Sequence, residues 1–100
     1  MAGADTIRSG KTTVSTAGTA VALSSASILA TFVTIKALAG QSDNIYVGND
    51  GADDVTSSNG FVLDANEEVT LWAADLSEII IDAGDDNQSV TWVASVSGTV

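Results

Sequence analysis

The chain contains no cysteine, no histidine and no proline, and its only cations are Arg8, Lys11 and Lys36, set against 13 carboxylates. Each absence removes a class of function. Without cysteine there is neither a disulfide framework nor a thiolate metal site. Without histidine or cysteine, the common zinc sites, the Ser-His-Asp and Cys-His nucleophile arrangements and imidazole acid–base chemistry are excluded. Three cations in a chain of formal charge −10 cannot neutralise a run of phosphates, so nucleic acid is not an expected partner. No apolar run of about 18 residues occurs, and the stretch from Thr19 to Leu38 is interrupted by Ser, Thr and Lys36, so no membrane span is expected. The opening MAGADTIRSGKTT has no apolar segment of the signal-peptide kind, which sets the expectation of synthesis in the cytoplasm.

What remains is a chain of 100 residues, enough for one domain that buries about 60–65% of its unfolded surface. Its hydrophobic pattern has period two. In ATFVTIKAL (30–38), Val33, Ile35 and Ala37 share one face while Phe32, Thr34 and Lys36 share the other. NIYVG, EVTLWA, EIIIDA and SVTWVASV repeat the alternation, pairing Ile45 with Val47, Val69 with Leu71 and Ala73, Ile79 with Ile81, and Val90 with Trp92, Ala94 and Val96. TTVST and TAVALS are weaker strand candidates, and SASILA is compatible with one helical turn. Between these runs lie AGQSDN, GNDGADD, SSNG, DANEE and AGDDNQ, whose Gly, Asn and Asp suit hairpin and Greek-key connections. The expected fold is all-β, an antiparallel β-sandwich or jelly-roll-like domain of seven to eight short strands over residues 13–100. Residues 1–12, which hold Arg8 and Lys11, are expected to form an N-terminal arm.

The second faces of these strands carry the functional expectation. With Val33, Ile35, Val47, Leu71, Ile81 and Trp92 in the core, Phe32, Tyr46, Trp72, Ile80 and Val93 point outward, where a two-layer sandwich is normally polar. They are therefore the candidate subunit interface. The acidic loops supply the only candidate metal ligands, Asp50, Asp53, Asp54, Asp85 and Asp86, whose hard oxygens suit calcium although neither loop has the spacing of an EF-hand. Paired carboxylates such as Glu67 with Glu68 or Asp85 with Asp86 are sequence neighbours in turns, so they do not face each other across a cleft, and no enzyme activity is expected. Trp72 and Trp92 also admit a sugar-stacking role, with core packing the better reading for Trp92.

The order VSTAGTAVALSS, VTIKALAG, NIYVGND, GFVLDANEEVTLWAADLSEIIIDAG and VTWVASV resembles a group of small virion proteins of tailed bacteriophages. Their pattern runs "aGTavaL", "v.ikAl", "iyVG", "G..L.pGesv.l", "dls.iyi.a" and "v.w..", and the resemblance spans roughly residues 12 to 96. It departs at Asp64-Ala65-Asn66-Glu67-Glu68, where the group usually has a Pro-Gly turn. The resemblance implies a β-sandwich that decorates or cements the capsid surface, commonly as a homotrimer, with the major capsid protein as partner and the virion as location. Arg8 and Lys11 are the expected capsid contacts. A head-fibre or tail component and a carbohydrate-binding module are the alternative roles.

Overall fold

The structure is a computed structural model, and residues 6–96 are described. Eight strands form two four-stranded antiparallel sheets packed face to face, with no α-helix among the described residues. The strands are β1 (Thr6–Val14), β2 (Val21–Ala22), β3 (Leu29–Ala37), β4 (Ile45–Gly48), β5 (Phe61–Leu63), β6 (Glu68–Asp75), β7 (Ile80–Ala83) and β8 (Gln88–Val96). The first sheet has the order β1-β8-β3-β6 and the second β2-β7-β4-β5. This is the expected sandwich. The short β5 has no counterpart among the expected strands, because three residues are too few to display an alternation.

The core follows the period of two. Val33, Ile35 and Ala37 of β3 and Val90, Trp92 and Ala94 of β8 are buried, and they meet Ile45, Val47, Leu63, Ile81 and Ala83 of the second sheet in one cluster. Leu71 and Val69 pack on its margin, half-buried on the edge strand β6. Trp92 is the largest member. Its indole lies over Gly10, its cross-strand partner on β1, so that a Cβ at position 10 would stand 2.7 Å from the indole Cζ2. Gly10 is there because any side chain would occupy the space of the ring.

Three expectations are corrected. Residues 6–12 are not an arm: with Thr13 and Val14 they form β1, paired with β8 from Thr6↔Val96 to Val14↔Gln88. Sequence hides this strand because Val14 alone of its residues is fully buried, which leaves almost no apolar alternation to read. The arm's residues 1–5, and residues 97–100 of the expected domain, lie outside the described residues. SASILA forms no helical turn, and the one short 3-10 turn among the described residues is Leu76–Glu78. Ala73 does not continue the inward series of Val69 and Leu71, because the register shifts between Ala30 and Phe32 and Ala73 takes a positive φ of 52°. This bulge reverses the alternation, so that Ala30 turns into the core while Phe32, two residues on, faces outward.

The Asp64–Glu68 connection turns without the expected Pro-Gly. Asn66 adopts φ 72°, the left-handed conformation that a glycine would supply, and Glu67 Oε1 accepts from the Asp64 amide at 2.8 Å while the Glu67 amide donates to the Asp64 carbonyl at 3.0 Å.

Replacing Gly10 by Ala is expected to destabilise the domain by about 1–3 kcal/mol through overpacking against Trp92. Urea unfolding followed by tryptophan fluorescence is expected to show a lower midpoint at unchanged slope. An unchanged midpoint would mean that the indole is free to move away.

Candidate functional site: the outer face of the first sheet

The sheet register arranges the outward side chains of the first sheet in three rows running across β1, β8, β3 and β6 in that order. The first row is Ile7, Ser95, Phe32 and Trp72; the second is Ser9, Val93, Thr34 and Thr70; the third is Lys11, Thr91, Lys36 and Glu68. The first row is apolar at both ends, with Trp72 70% exposed and Ile7 64% exposed. The rings of Phe32 and Trp72 lie side by side, centroids 5.5 Å apart and planes tilted by 48°. In the second row Val93 is exposed, and the hydroxyls of Thr34 and Thr70 bond to each other at 2.8 Å. The third row holds two of the three cations. Across all three rows the only carboxylate is Glu68, although the chain has 13.

Of the five outward candidates, Phe32, Trp72 and Val93 therefore share this face. The other two do not. Tyr46 lies half-buried on the outer face of the second sheet, where the segment 49–60 folds back over it: a Cβ on Gly60 would stand 2.6 Å from the Tyr46 Cβ. Ile80, on the same face, is 2% exposed and has no free surface to offer a partner. Its register partner is Gly48, and Val55, itself buried, sits on Gly48, within 3.3 Å of where a Cβ there would be. Parity places Ile80 outward correctly, but a loop of the same chain covers it, which strand periodicity cannot reveal. Ile7 escapes a sequence reading for the converse reason, since it belongs to the segment expected to be an arm. Arg8 and Lys11 are both exposed on β1, Lys11 on the outer face and Arg8 on the opposite one.

The acidic loops do not converge on a metal position: among the described residues no three carboxylates gather into a group able to hold an ion. Their oxygens serve the chain instead. Asp50 Oδ1 accepts from the Ala52 amide at 2.8 Å, and Asp54 Oδ1 from the Val55 amide at 2.9 Å. Asp53 Oδ1 accepts from the Asn49 side chain, which also holds the Glu78 carbonyl at 2.8 Å. Asp85 takes the Ser42 hydroxyl and the Asp86 amide, while Asp86 and the buried Asp82 accept from the Ala17 and Gly18 amides. In a chain without proline, side-chain acceptors of this kind fix the turns.

Asp75 shows the same use at the end of β6. Its carboxylate accepts from the Ser27 hydroxyl, from the amide and hydroxyl of Ser77, and from the Ile28 amide, joining the β2–β3 connection to the 3-10 turn. The Ser27 bond first, then those of Ser77 and Ile28, lower its pKa from 3.8 to about 2. Because the folded value lies below the unfolded one, this stabilisation is present above about pH 4 and is lost as pH falls through about 2.

Asp75→Asn is accordingly expected to lower the melting temperature by a few degrees at neutral pH, with the gap from the parent chain closing between about pH 4 and pH 2. A gap that stays constant through that window would show that charge is not involved. Calcium at millimolar concentration is expected to raise the melting temperature no more than magnesium does, because no three of the described carboxylates gather into one group; a calcium-specific rise would assign a metal role to Asp50, Asp53, Asp54, Asp85 or Asp86. Searched against protein families and curated proteins, the chain matches no family model and has no significant similarity to a curated protein.

Proposed function

We propose that this chain is a structural virion protein, a capsid decoration or cement protein that binds by surface complementarity and performs no turnover. The observation that carries the reading is the carboxylate-poor face built by Ile7, Phe32, Trp72, Val93, Lys11 and Lys36 on an otherwise acidic chain. A face of that composition is suited to contact with protein rather than with water. The motif order shared with the small phage virion proteins supports it from the side of the sequence. Its segments coincide with strands in chain order, VTIKALAG with β3, NIYVGND with β4, the Leu76–Ala83 run with the 3-10 turn and β7, and VTWVASV with β8.

Attachment to the shell would use a different part of the molecule. β1 is an edge strand, bonded to β8 on one side only, and it carries the exposed Arg8. Such an edge offers amides and carbonyls to an added strand of the major capsid protein, with Arg8 meeting an acidic group beside it. The acidic loops at the ends and on the second sheet would then face solvent and keep particles apart by mutual repulsion.

A carbohydrate-binding role is the second reading, favoured by the exposed Trp72 indole beside Phe32, since such a pair presents an apolar platform to a pyranose ring.

Shells assembled from the major capsid protein of the encoding phage are expected to sediment with the chain bound and to resist heat or low salt better than bare shells. Arg8→Glu is expected to weaken that binding about tenfold without changing the melting temperature of the free chain. Failure of the folded chain to bind or stabilise the shells would sink the decoration reading, and retention on a polysaccharide column that Trp72→Ala abolishes would put the carbohydrate reading in its place.

A further inference from the structure

The three rows on the outer face of the first sheet have an order that is complementary to itself. Reversing the strand order β1-β8-β3-β6 exchanges β1 with β6 and β8 with β3 while leaving each row in place. This is the operation of a twofold axis lying in the face and running along the strands, between β8 and β3. Applied to the third row, it sets Lys11 opposite Glu68 of a second copy, and Lys36 opposite Thr91. In the first row it sets Trp72 opposite Ile7 and Phe32 over the position of the buried Ser95, and in the second it sets Thr34 opposite Val93 and Ser9 opposite Thr70. Within these rows the single carboxylate meets a cation, the two most exposed apolar side chains meet each other, and no like charges are opposed. The other twofold in the plane, running across the strands, would place Trp72 on Glu68 and Ile7 on Lys11, so the pattern also selects between the two.

We propose that this face binds a second copy of the same chain, forming a twofold dimer with the two first sheets packed face to face at its centre. The size is adequate: four strands about 4.8 Å apart and eight or nine residues long at about 3.3 Å per residue make a face on the order of 500–600 Å². Two such faces together bury on the order of 1,100 Å², just above the roughly 1,000 Å² that a specific interface needs. Sheet twist sets the two layers about 30° from parallel, the usual angle for stacked sheets. The pairing of a face with itself belongs to twofold symmetry, so this dimer stands in place of the threefold assembly that the resemblance to phage proteins implies. It does not depend on the decoration role.

Sedimentation equilibrium of the full chain is expected to give about twice the monomer mass of 10.1 kDa. Two charge reversals test the arrangement itself. Lys11→Glu alone brings a second carboxylate against Glu68 of the partner copy, and Glu68→Lys alone brings a second ammonium against Lys11. Each variant is expected to weaken the dimer about tenfold or more relative to the parent chain. In a dimer with one copy of each variant both positions again oppose unlike charges, the native Lys11–Glu68 pair at one and the reversed pair at the other, so mixed dimers are expected to outnumber either homodimer, read by native mass spectrometry. Circular dichroism and melting temperature confirm that each variant is folded, and Trp72→Ala provides a charge-independent check by removing the Trp72–Ile7 contact. A parent chain that is a monomer or a trimer, or a mixture of the folded variants that fails to pair, would overturn the proposal.

Discussion

Burial of Val33, Ile35 and Ala37 on β3 against Val90, Trp92 and Ala94 on β8 is the constraint from which the rest of the molecule follows. These two central strands are each hydrogen-bonded on both sides, and their inner residues supply most of the first sheet's contribution to the core. Because side chains alternate, sending these six inward obliges Phe32, Thr34, Lys36, Thr91 and Val93 to the other face. The core and the candidate binding surface are thus two sides of the same register. A slip of β3 by one residue would exchange them and bury the charge of Lys36. Gly10 completes the arrangement by leaving room for Trp92, which ties the edge strand β1 and its Ile7 and Lys11 into the same face.

Charge is distributed by a related logic. With carboxylates outnumbering cations 13 to 3, the chain has to find uses for many acids, and it places Asp43, Asp50, Asp54, Glu67 and Asp85 in turns where they accept local amides. Asp75, Asp82 and Asp86 reach further and fasten separate segments: the 27–28 connection to the 3-10 turn, and the Ala17-Gly18 turn to β7 and the β7–β8 connection. Concentrating acids at the ends and loops leaves the three outward rows of the first sheet with Lys11, Lys36 and a single Glu68. The resulting contrast between an acidic body and an apolar, weakly cationic face would make association by that face selective, since any approach by the acidic surfaces is opposed by repulsion.

The bulge at Ala30–Phe32 serves both sides. Without it, Ala30 and Phe32 would share a face, and either the alanine would leave the core or the ring would enter it. With Ala73 in a left-handed conformation opposite, the alternation is reversed within two residues, and Phe32 comes to lie beside Trp72. Sequence carries no sign of this reversal: alanine is unusual at positive φ, and no glycine marks the spot.

The sequence by itself determined the all-β class, the two-layer sandwich, the inner faces of β3, β4 and β8, and the outward direction of Phe32, Trp72 and Val93, because strand alternation is a local property written in consecutive residues. It also determined that no imidazole or thiol chemistry is present, because composition alone decides that. Tertiary structure decided the rest. Only pairing with β8 turned residues 6–12 from an apparent arm into a strand and brought Ile7 and Lys11 to the face. Only the loop that folds back from Asn49 to Gly60 hid Ile80, and only the strand order β1-β8-β3-β6 set Lys11 and Glu68 at opposite ends of one row. Those outcomes depend on which distant segments lie side by side, and that is fixed by long-range pairing that no window of consecutive residues contains.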